Sequence, residues 1–282
     1  MLSLPHASFG RTSGSALEHV YLYDKTIEVP GRNRLNPEIR ENIMKHAFVV
    51  LAILLITIPS TEAADDIDQI NQLIQTDFRN LSEDLGAALS YKAVIPAKPL
   101  GLTGFDLGVE VTATQLENRE SWDRASSSTA PDTLYIPKLH LHKGLPAGFD
   151  VGAFYTSVPG SNIKLWGTEV RYAIIDGGTI APALGLRGTY SKLSGVNQLD
   201  FHTKGLELLV SKGFAIFTPY AGVGRVWTVS EPVGVTNVNK EEFTQGKYFV
   251  GGNINLGLVN LALEADKTGD AASYNAKLGF RF

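Results

Sequence analysis

The final stretch of the sequence reads Ser273-Tyr274-Asn275-Ala276-Lys277-Leu278-Gly279-Phe280-Arg281-Phe282. Apolar side chains fall on the even numbers of this stretch, and polar or small ones fall on the odd numbers. Successive side chains of a β-strand point to opposite faces, so the two kinds of residue lie on different faces. The alternation therefore predicts a strand with one face in apolar surroundings and the other in polar surroundings.

Similar segments with a period of two fill the chain before this strand, separated by turn residues. The pattern is blurred only in 214–229, where both faces are apolar or glycine. The mean hydropathy is zero although 44% of residues are hydrophobic, as expected when each apolar residue has a polar neighbour. Such a series predicts an antiparallel all-β protein. The segments are 104–116, 133–143, 148–157, 164–174, 180–191, 201–212, 214–229, 247–257 and 260–266.

The connections between these segments differ in length. Tight links, such as 144–147 and 176–178, alternate with longer polar ones at 118–132, 193–200 and 230–245. Transmembrane barrels have short periplasmic turns and longer outer loops, whereas a soluble sandwich or lipocalin has no reason to sort its loops by length. The spacing therefore favours a closed transmembrane β-barrel. We also expect aromatic residues near strand ends, among them Tyr91, Tyr135 and Trp227, to form girdles at the membrane interfaces.

A strand of this kind that closes on an aromatic residue resembles the terminal strand of bacterial outer-membrane β-barrel proteins, and the resemblance covers roughly residues 85–282. It implies a location in the outer membrane of a Gram-negative bacterium. It also implies contacts with outer-membrane lipid and with the barrel-assembly machinery, while small solutes are further candidate partners. The residues that the resemblance marks as the assembly signal are Tyr274, Leu278, Phe280 and Phe282.

The number of strands follows from parity. A single-chain barrel with both ends in the periplasm needs an even number, and ten segments are clear from residue 104 onward. Residues 85–95 also have the composition of a strand and would make eleven. Either a twelfth strand exists, or this segment lies inside the lumen with the helix that precedes it. We predict ten wall strands, with twelve as the alternative.

The region before the barrel divides into three parts. Residues 1–43 are polar without a sustained period, and we interpret them as a gene-model extension or a disordered leader. Residues 44–63 have a charged start, an apolar run and a small residue at the predicted cut, the pattern of a signal peptide. In 64–84, apolar residues recur at helical spacing and predict an amphipathic helix. This helix is expected to plug the lumen, to form a periplasmic lid or to pack under the barrel.

The polar faces of the strands predict the lining of the lumen. Both signs of charge occur in comparable number, and a ten-stranded barrel leaves little room for a channel. Opposite charges in so small a space should pair, which favours a plugged or very narrow lumen. The predicted lining residues are Glu110, Lys138, His140, His142, Glu169, Arg171, Arg187, Glu207, Arg225, Glu264, Lys277 and Arg281.

Few residues suggest chemistry. His140 and His142 share one strand face and are the candidates for metal binding or acid–base catalysis with nearby carboxylates, but no catalytic motif surrounds them. The sequence contains no Cys, which excludes disulfides and thiolate metal sites. A net charge of -4 argues against nucleic acid as a partner. We therefore assign no catalytic residue, metal or cofactor.

The expected function is restricted passage of small or apolar solutes, or a role in membrane architecture. One alternative is an outer-membrane enzyme that acts on lipid or peptide. Another is an adhesin or receptor that uses the loops at 118–132 and 230–245.

Overall fold

The computed structural model describes residues 67, 69–126, 129–158 and 161–282. The predicted leader and signal peptide, 1–43 and 44–63, lie outside these residues. Ten strands form one closed antiparallel barrel, in which each strand pairs with its neighbours in sequence and the first pairs with the last. The strands are β1 (Phe105–Gln115), β2 (Thr133–Gly144), β3 (Phe149–Ser157), β4 (Lys164–Ile175), β5 (Ala183–Ser194), β6 (Leu199–Ser211), β7 (Phe217–Pro232), β8 (Glu241–Leu256), β9 (Val259–Thr268) and β10 (Ala271–Arg281).

Two α-helices accompany the barrel in the described part of the chain. The first, α1 (Gln75–Leu89), precedes β1 and follows a 3₁₀ turn at Ile70–Gln72. The second, α2 (Arg119–Ala125), lies between β1 and β2, and another 3₁₀ turn at Pro146–Gly148 joins β2 to β3. Neither α-helix is long and apolar enough to cross a membrane, within the part of the chain that the structure describes.

The prediction of ten wall strands is confirmed, and every predicted segment overlaps one of them. Two loop predictions were too long, because the strands continue beyond their apolar parts. β5 and β6 leave only 195–198 between them, and β8 begins at Glu241, inside the expected loop 230–245. Backbone hydrogen bonds to the neighbouring strand extend these strands into residues that do not alternate in hydropathy. The sequence pattern therefore could not indicate the extension.

The barrel closes where β1 meets β10. Phe105 donates its backbone N–H to the carbonyl of Phe282 at 2.7 Å, and Phe282 returns a bond of 3.0 Å. The two rings stack with centroids 5.7 Å apart. Closure leaves no strand edge with unpaired backbone groups among the described residues, which is a requirement for any sheet in lipid.

The exterior is apolar between two rings of exposed aromatic side chains, as in transmembrane barrels. Leu139, Val170, Leu208 and Leu263 are among the exposed residues between the rings. One ring lies at the end of the barrel where Phe105 meets Phe282, and it includes Phe149, Tyr172, Phe214, Phe217 and Phe282. The ring at the other end includes Tyr135, Tyr155, Trp166, Trp227, Tyr248 and Tyr274.

We call the two ends of the barrel the turn end and the loop end. The turn end contains Phe105, Phe282 and the connections 145–148 and 257–258. The loop end contains the two longest connections, 116–132 and 233–240. By the rule that long loops face outward, the loop end is the outer one.

The segment before β1 lies inside the barrel. Helix α1 contacts β1 and β5 to β10 from within, and its first turn is near the loop end, where Gln75 contacts Asn239. From Ser90 the chain continues through the lumen to the turn end, where Leu100 contacts Asp150. We call residues 75–100 the plug. The helix thus begins eleven residues later than predicted from residue 64, since a 3₁₀ turn and extended residues precede it.

The barrel wall begins at Phe105, so the predicted boundary at residue 85 was wrong. Leu85 to Leu89 complete α1, and residues 91–97 belong to no helix or strand in the described structure. Of the two alternatives for 85–95, the structure shows the lumen segment. Tyr91, expected in a girdle, is buried inside the barrel.

This topology predicts which side of the membrane each end of the plug reaches. Asn71 is exposed beside the loop end, and Thr179 is exposed in a turn at the other end. Because the chain has no Cys, single variants Asn71→Cys and Thr179→Cys can each be labelled alone. In intact cells, a membrane-impermeant maleimide should label Asn71→Cys and should label Thr179→Cys only after the outer membrane is permeabilised. The reverse pattern would contradict a plug that enters from the outer end.

Candidate functional site

The lumen is a charged core, and the wall supplies nearly all of its charges. Among the described residues, eight carboxylates and six basic groups project inward from the strands. The carboxylates are Asp106, Glu110, Asp150, Glu169, Glu207, Glu241, Glu264 and Asp266, and the basic groups are Lys138, Arg171, Arg187, Lys247, Lys277 and Arg281. The plug adds the buried cation Lys92 and the buried carboxylates Asp77 and Asp84.

At the turn end, three wall residues form one ionic group. Lys277 Nζ lies 3.0 Å from Asp106 Oδ1, and Arg281 Nε donates to Asp106 Oδ2 at 2.7 Å. Arg171 Nη2 of β4 lies 2.6 Å from Asp150 Oδ2 of β3. Both carboxylates have charged partners, which offsets the large cost of removing them from water.

The middle of the lumen holds the two candidate histidines. His140 Nε2 is 2.7 Å from Glu110 Oε2, while Lys138 Nζ is 3.0 Å from Glu110 Oε1. His142 Nε2 is 3.5 Å from Glu169 Oε1, and the two imidazoles stack at 5.6 Å. Both histidines have no exposed surface. The residues that the structure describes contain no cluster of three or more His, Asp or Glu that would hold a metal ion.

A second charged group lies on β5, β6 and β8. Arg187 donates from Nε to Glu207 Oε2 at 2.7 Å, and Lys247 Nζ lies 2.8 Å from Glu207 Oε1. Lys247 also donates to the carbonyl of Tyr91 at 2.7 Å. One lysine therefore joins the wall network to the plug. Lys247 is absent from the predicted lining, although it is an odd-numbered residue of β8 like Asn253, whose side chain points inward.

The plug is held by wall side chains that satisfy its backbone. A segment outside any sheet leaves its carbonyls without ladder partners, and buried carbonyls need donors. Ser191 Oγ donates to the carbonyl of Leu89 at 2.7 Å, and Arg171 Nη1 donates to that of Pro96 at 2.7 Å. Lys92 Nζ forms an ion pair of 2.6 Å with Asp266, with both side chains fully buried.

The wall also makes room for the plug. A Cβ atom at Gly167 would lie 2.4 Å from the ring of Phe154 and 3.0 Å from Cδ2 of Tyr91. Glycine at this inward position of β4 lets both rings approach the wall. Tyr91 then packs against Phe154 at 5.2 Å and against His140 at 5.9 Å. The aromatic core of the lumen thus includes plug and wall residues together.

The outer loops cover the loop end. Trp122 of α2 is buried and donates its indole N–H to Asp84 of α1 at 3.0 Å, and the backbone of Asn118 donates to the same oxygen at 2.9 Å. Asn237, in the loop 233–240, donates to the carbonyl of Leu73 at 2.6 Å. These contacts and an apolar cluster around Phe78 join the loops to the plug.

Of the twelve residues predicted to line the lumen, the structure places eleven on the inner face. Arg225 is the exception, since it is exposed and points outward from β7. The prediction failed there because Phe214 to Trp227 has apolar or small residues on both faces, which leaves its parity undetermined. Pairing with outward Leu206 of β6 decides the orientation.

The pairing of plug and wall predicts a large effect of neutralising Lys92. Lys92→Met leaves Asp266 buried beside Asn275 and Thr268 without a cation, which should cost about 3–5 kcal/mol. The measurement is the urea concentration at which the folded, fast-migrating form is lost on gels. Adding Asp266→Asn to the same chain should recover most of the loss, because no uncompensated charge remains.

The exposed pair Lys192–Asp200, at 3.2 Å, provides the matched control. Lys192→Met should change stability by about 1 kcal/mol or less. Equal effects of Lys92→Met and Lys192→Met would contradict a buried plug.

No protein-family model matches the sequence, and no curated protein matches it. Solved barrels align with part of the chain at low identity. The N-terminal β-barrel domain of Pseudomonas aeruginosa OprF is 12% identical, with 63% of this chain and 97% of that chain covered and a TM-score of 0.30. The KdgM porin in complex with disordered oligogalacturonate is 9% identical, with 63% of this chain and 99% of that chain covered and a TM-score of 0.32. LpxR from Salmonella typhimurium is 12% identical, with 62% of this chain and 100% of that chain covered and a TM-score of 0.31.

TM-scores this low carry no information about function. The molecule's own geometry is informative without them: a closed even-stranded wall, an apolar exterior between aromatic girdles and a charged interior. This is the architecture of the outer-membrane β-barrel proteins.

Proposed function

We propose that this protein is a plugged outer-membrane barrel that serves membrane architecture, holding its folded outer loops at the surface without a standing pore. The observation that carries the proposal is the passage of residues 75–100 through the lumen, where Tyr91 and Lys92 have almost no exposed surface. Passage of small or apolar solutes would require this segment to move.

The electrostatics support a plug that stays in place. Withdrawing it would separate Lys92 from Asp266 and Arg79 from Glu241, which would leave both wall carboxylates without a cation. Leaving charges unpaired in a narrow lumen is costly. The plug and the wall therefore stabilise each other.

The enzyme alternative lacks a matching observation. His140 and His142 are the candidates, and both are enclosed by the wall and by Tyr91. A substrate would need the same movement of the plug to reach them. The receptor alternative is likewise without specific support, since Trp122 and Val238 of the outer loops are buried against the plug.

The proposal includes two partners and excludes nucleic acid. Outer-membrane lipid would surround the apolar exterior, and the barrel-assembly machinery would read the outward face of β10. Tyr274, Leu278 and Phe280 lie on that face, and Phe282 follows them with 66% of its surface exposed.

The role of Phe282 predicts an assembly defect. Phe282→Ala keeps the backbone bonds to Phe105 but removes the exposed ring, so the folded barrel should retain its stability to within about 1–2 kcal/mol while its yield in the outer membrane falls several-fold. Yield by membrane fractionation, and urea stability of the purified fraction, separate the two effects. An equal yield for Phe282→Ala and wild type would exclude the assembly role.

Conductance tests the plugged barrel directly. Wild-type protein in planar bilayers should show no current steps, because the lumen is filled. A variant without residues 70–97, expressed from Met44 and shown to fold by its mobility shift on boiling, should conduct with a weak preference for cations. The preference follows from the excess of carboxylates over basic groups on the bare wall.

Lys192→Met, on the exterior, should be silent like the wild type. Steady conductance of the wild type would overturn the proposal. Silence of the folded deletion variant would mean that the wall side chains close the lumen without the plug.

A further inference from the structure

The exterior carries two basic residues at a place where lipid should be. Arg225 points outward from β7 with its partners Leu206 and Gly246 on either side. Lys204 of β6 is also exposed and lies opposite Trp227. It is the next outward residue on β6 after Leu206 in the direction of the loop end. Residues diagonal to each other on one face of a sheet are roughly 7–8 Å apart, so the two cationic groups can reach one common partner.

Neither cation has an anionic partner within the described residues. No ion pair in this part of the chain involves Lys204 or Arg225, and the positions directly opposite or diagonal to them on β5, β7 and β8 include no carboxylate. The nearest acids of the rim are already bonded. Asp200 contacts Lys192 at 3.2 Å, and Glu242 contacts Lys240 at 2.6 Å.

The position of this pair relative to the membrane is set by its aromatic neighbours. Tyr190 and Trp227 flank Lys204 across the sheet and belong to the loop-end half of the exterior. Basic side chains on the lipid face are tolerated near the interface, where they extend towards the headgroups. At the loop end these headgroups are those of the outer leaflet.

We propose that Lys204 and Arg225, between Tyr190 and Trp227, bind the phosphate group of a phosphorylated glycolipid in the outer leaflet. Two cations without a counter-ion among the described residues complement a phosphate, and the adjoining apolar surface of Leu206 and Leu208 complements the acyl chains. The site is outside the barrel and independent of the plug, so it does not depend on whether the lumen conducts.

The test uses the purified barrel in phosphatidylcholine nanodiscs that contain a small fraction of diphosphorylated lipid A. Native mass spectrometry counts the lipid A molecules that remain bound. The double variant Lys204→Gln/Arg225→Gln should bind lipid A about thirtyfold more weakly than wild type, since each cation near an anionic headgroup contributes on the order of 1 kcal/mol. The charge-conserving variant Lys204→Arg/Arg225→Lys should retain most of the binding.

Lys267 provides the control, because it is also exposed on the outer face, beside Tyr248 of β8, but without a second cation next to it in the described structure. Lys267→Gln should weaken binding by less than about threefold. All variants change exposed positions, and a preserved mobility shift on boiling establishes that each is folded.

Three results would overturn the proposal. The first is equal binding of lipid A by the double variant and the wild type. The second is equal binding of dephosphorylated and phosphorylated lipid A by the wild type. The third is displacement of lipid A by inorganic phosphate at millimolar concentration. The second result would assign the contact to acyl chains, and the third would assign it to soluble anions.

Discussion

The structure depends on the satisfaction of polar groups inside a closed wall. A membrane barrel has its apolar residues outside, so its interior must be built from charges and amides that no bulk water can solvate. Glu110, Glu207 and Asp266 have little or no exposed surface, and each is within 3.0 Å of a lysine amino group. In a medium of low polarity, an unpaired charge costs far more than a well-packed pair returns. Pairing is therefore a condition for this lumen to exist at all.

The plug follows from that condition. Among the described residues, the one ion pair of Asp266 is with Lys92, so the plug supplies a cation that the wall does not. In return, wall donors such as Ser191 and Arg171 satisfy plug carbonyls that no strand pairs with. The same logic extends to the loop end, where Asp84 accepts hydrogen bonds from the loop that carries Trp122. Polar contacts thus join the plug, the wall and the loops, and the apolar cluster around Phe78 packs between the plug and the loops.

The exterior, in contrast, must be apolar because it faces lipid, and the exposed Arg225 is an exception. A cation on the lipid face is acceptable only where it can reach the interface, and the neighbouring Lys204 and Trp227 lie at that level. The asymmetry in loop length between the two ends of the barrel matches the asymmetry of the membrane that such barrels occupy.

The sequence by itself determined the number of strands and, for nine of them, which face is apolar, because alternation is a local property that each strand carries in its own residues. It also determined that the lumen contains both charge signs. It did not determine the orientation of Arg225, since β7 lacks alternation and takes its parity from hydrogen bonds to β6. Only the tertiary structure decided that residues 85–95 lie in the lumen and that Lys92 meets Asp266 across 174 positions of chain. Such partners are chosen by closure of the whole barrel, which brings together residues that no local pattern relates.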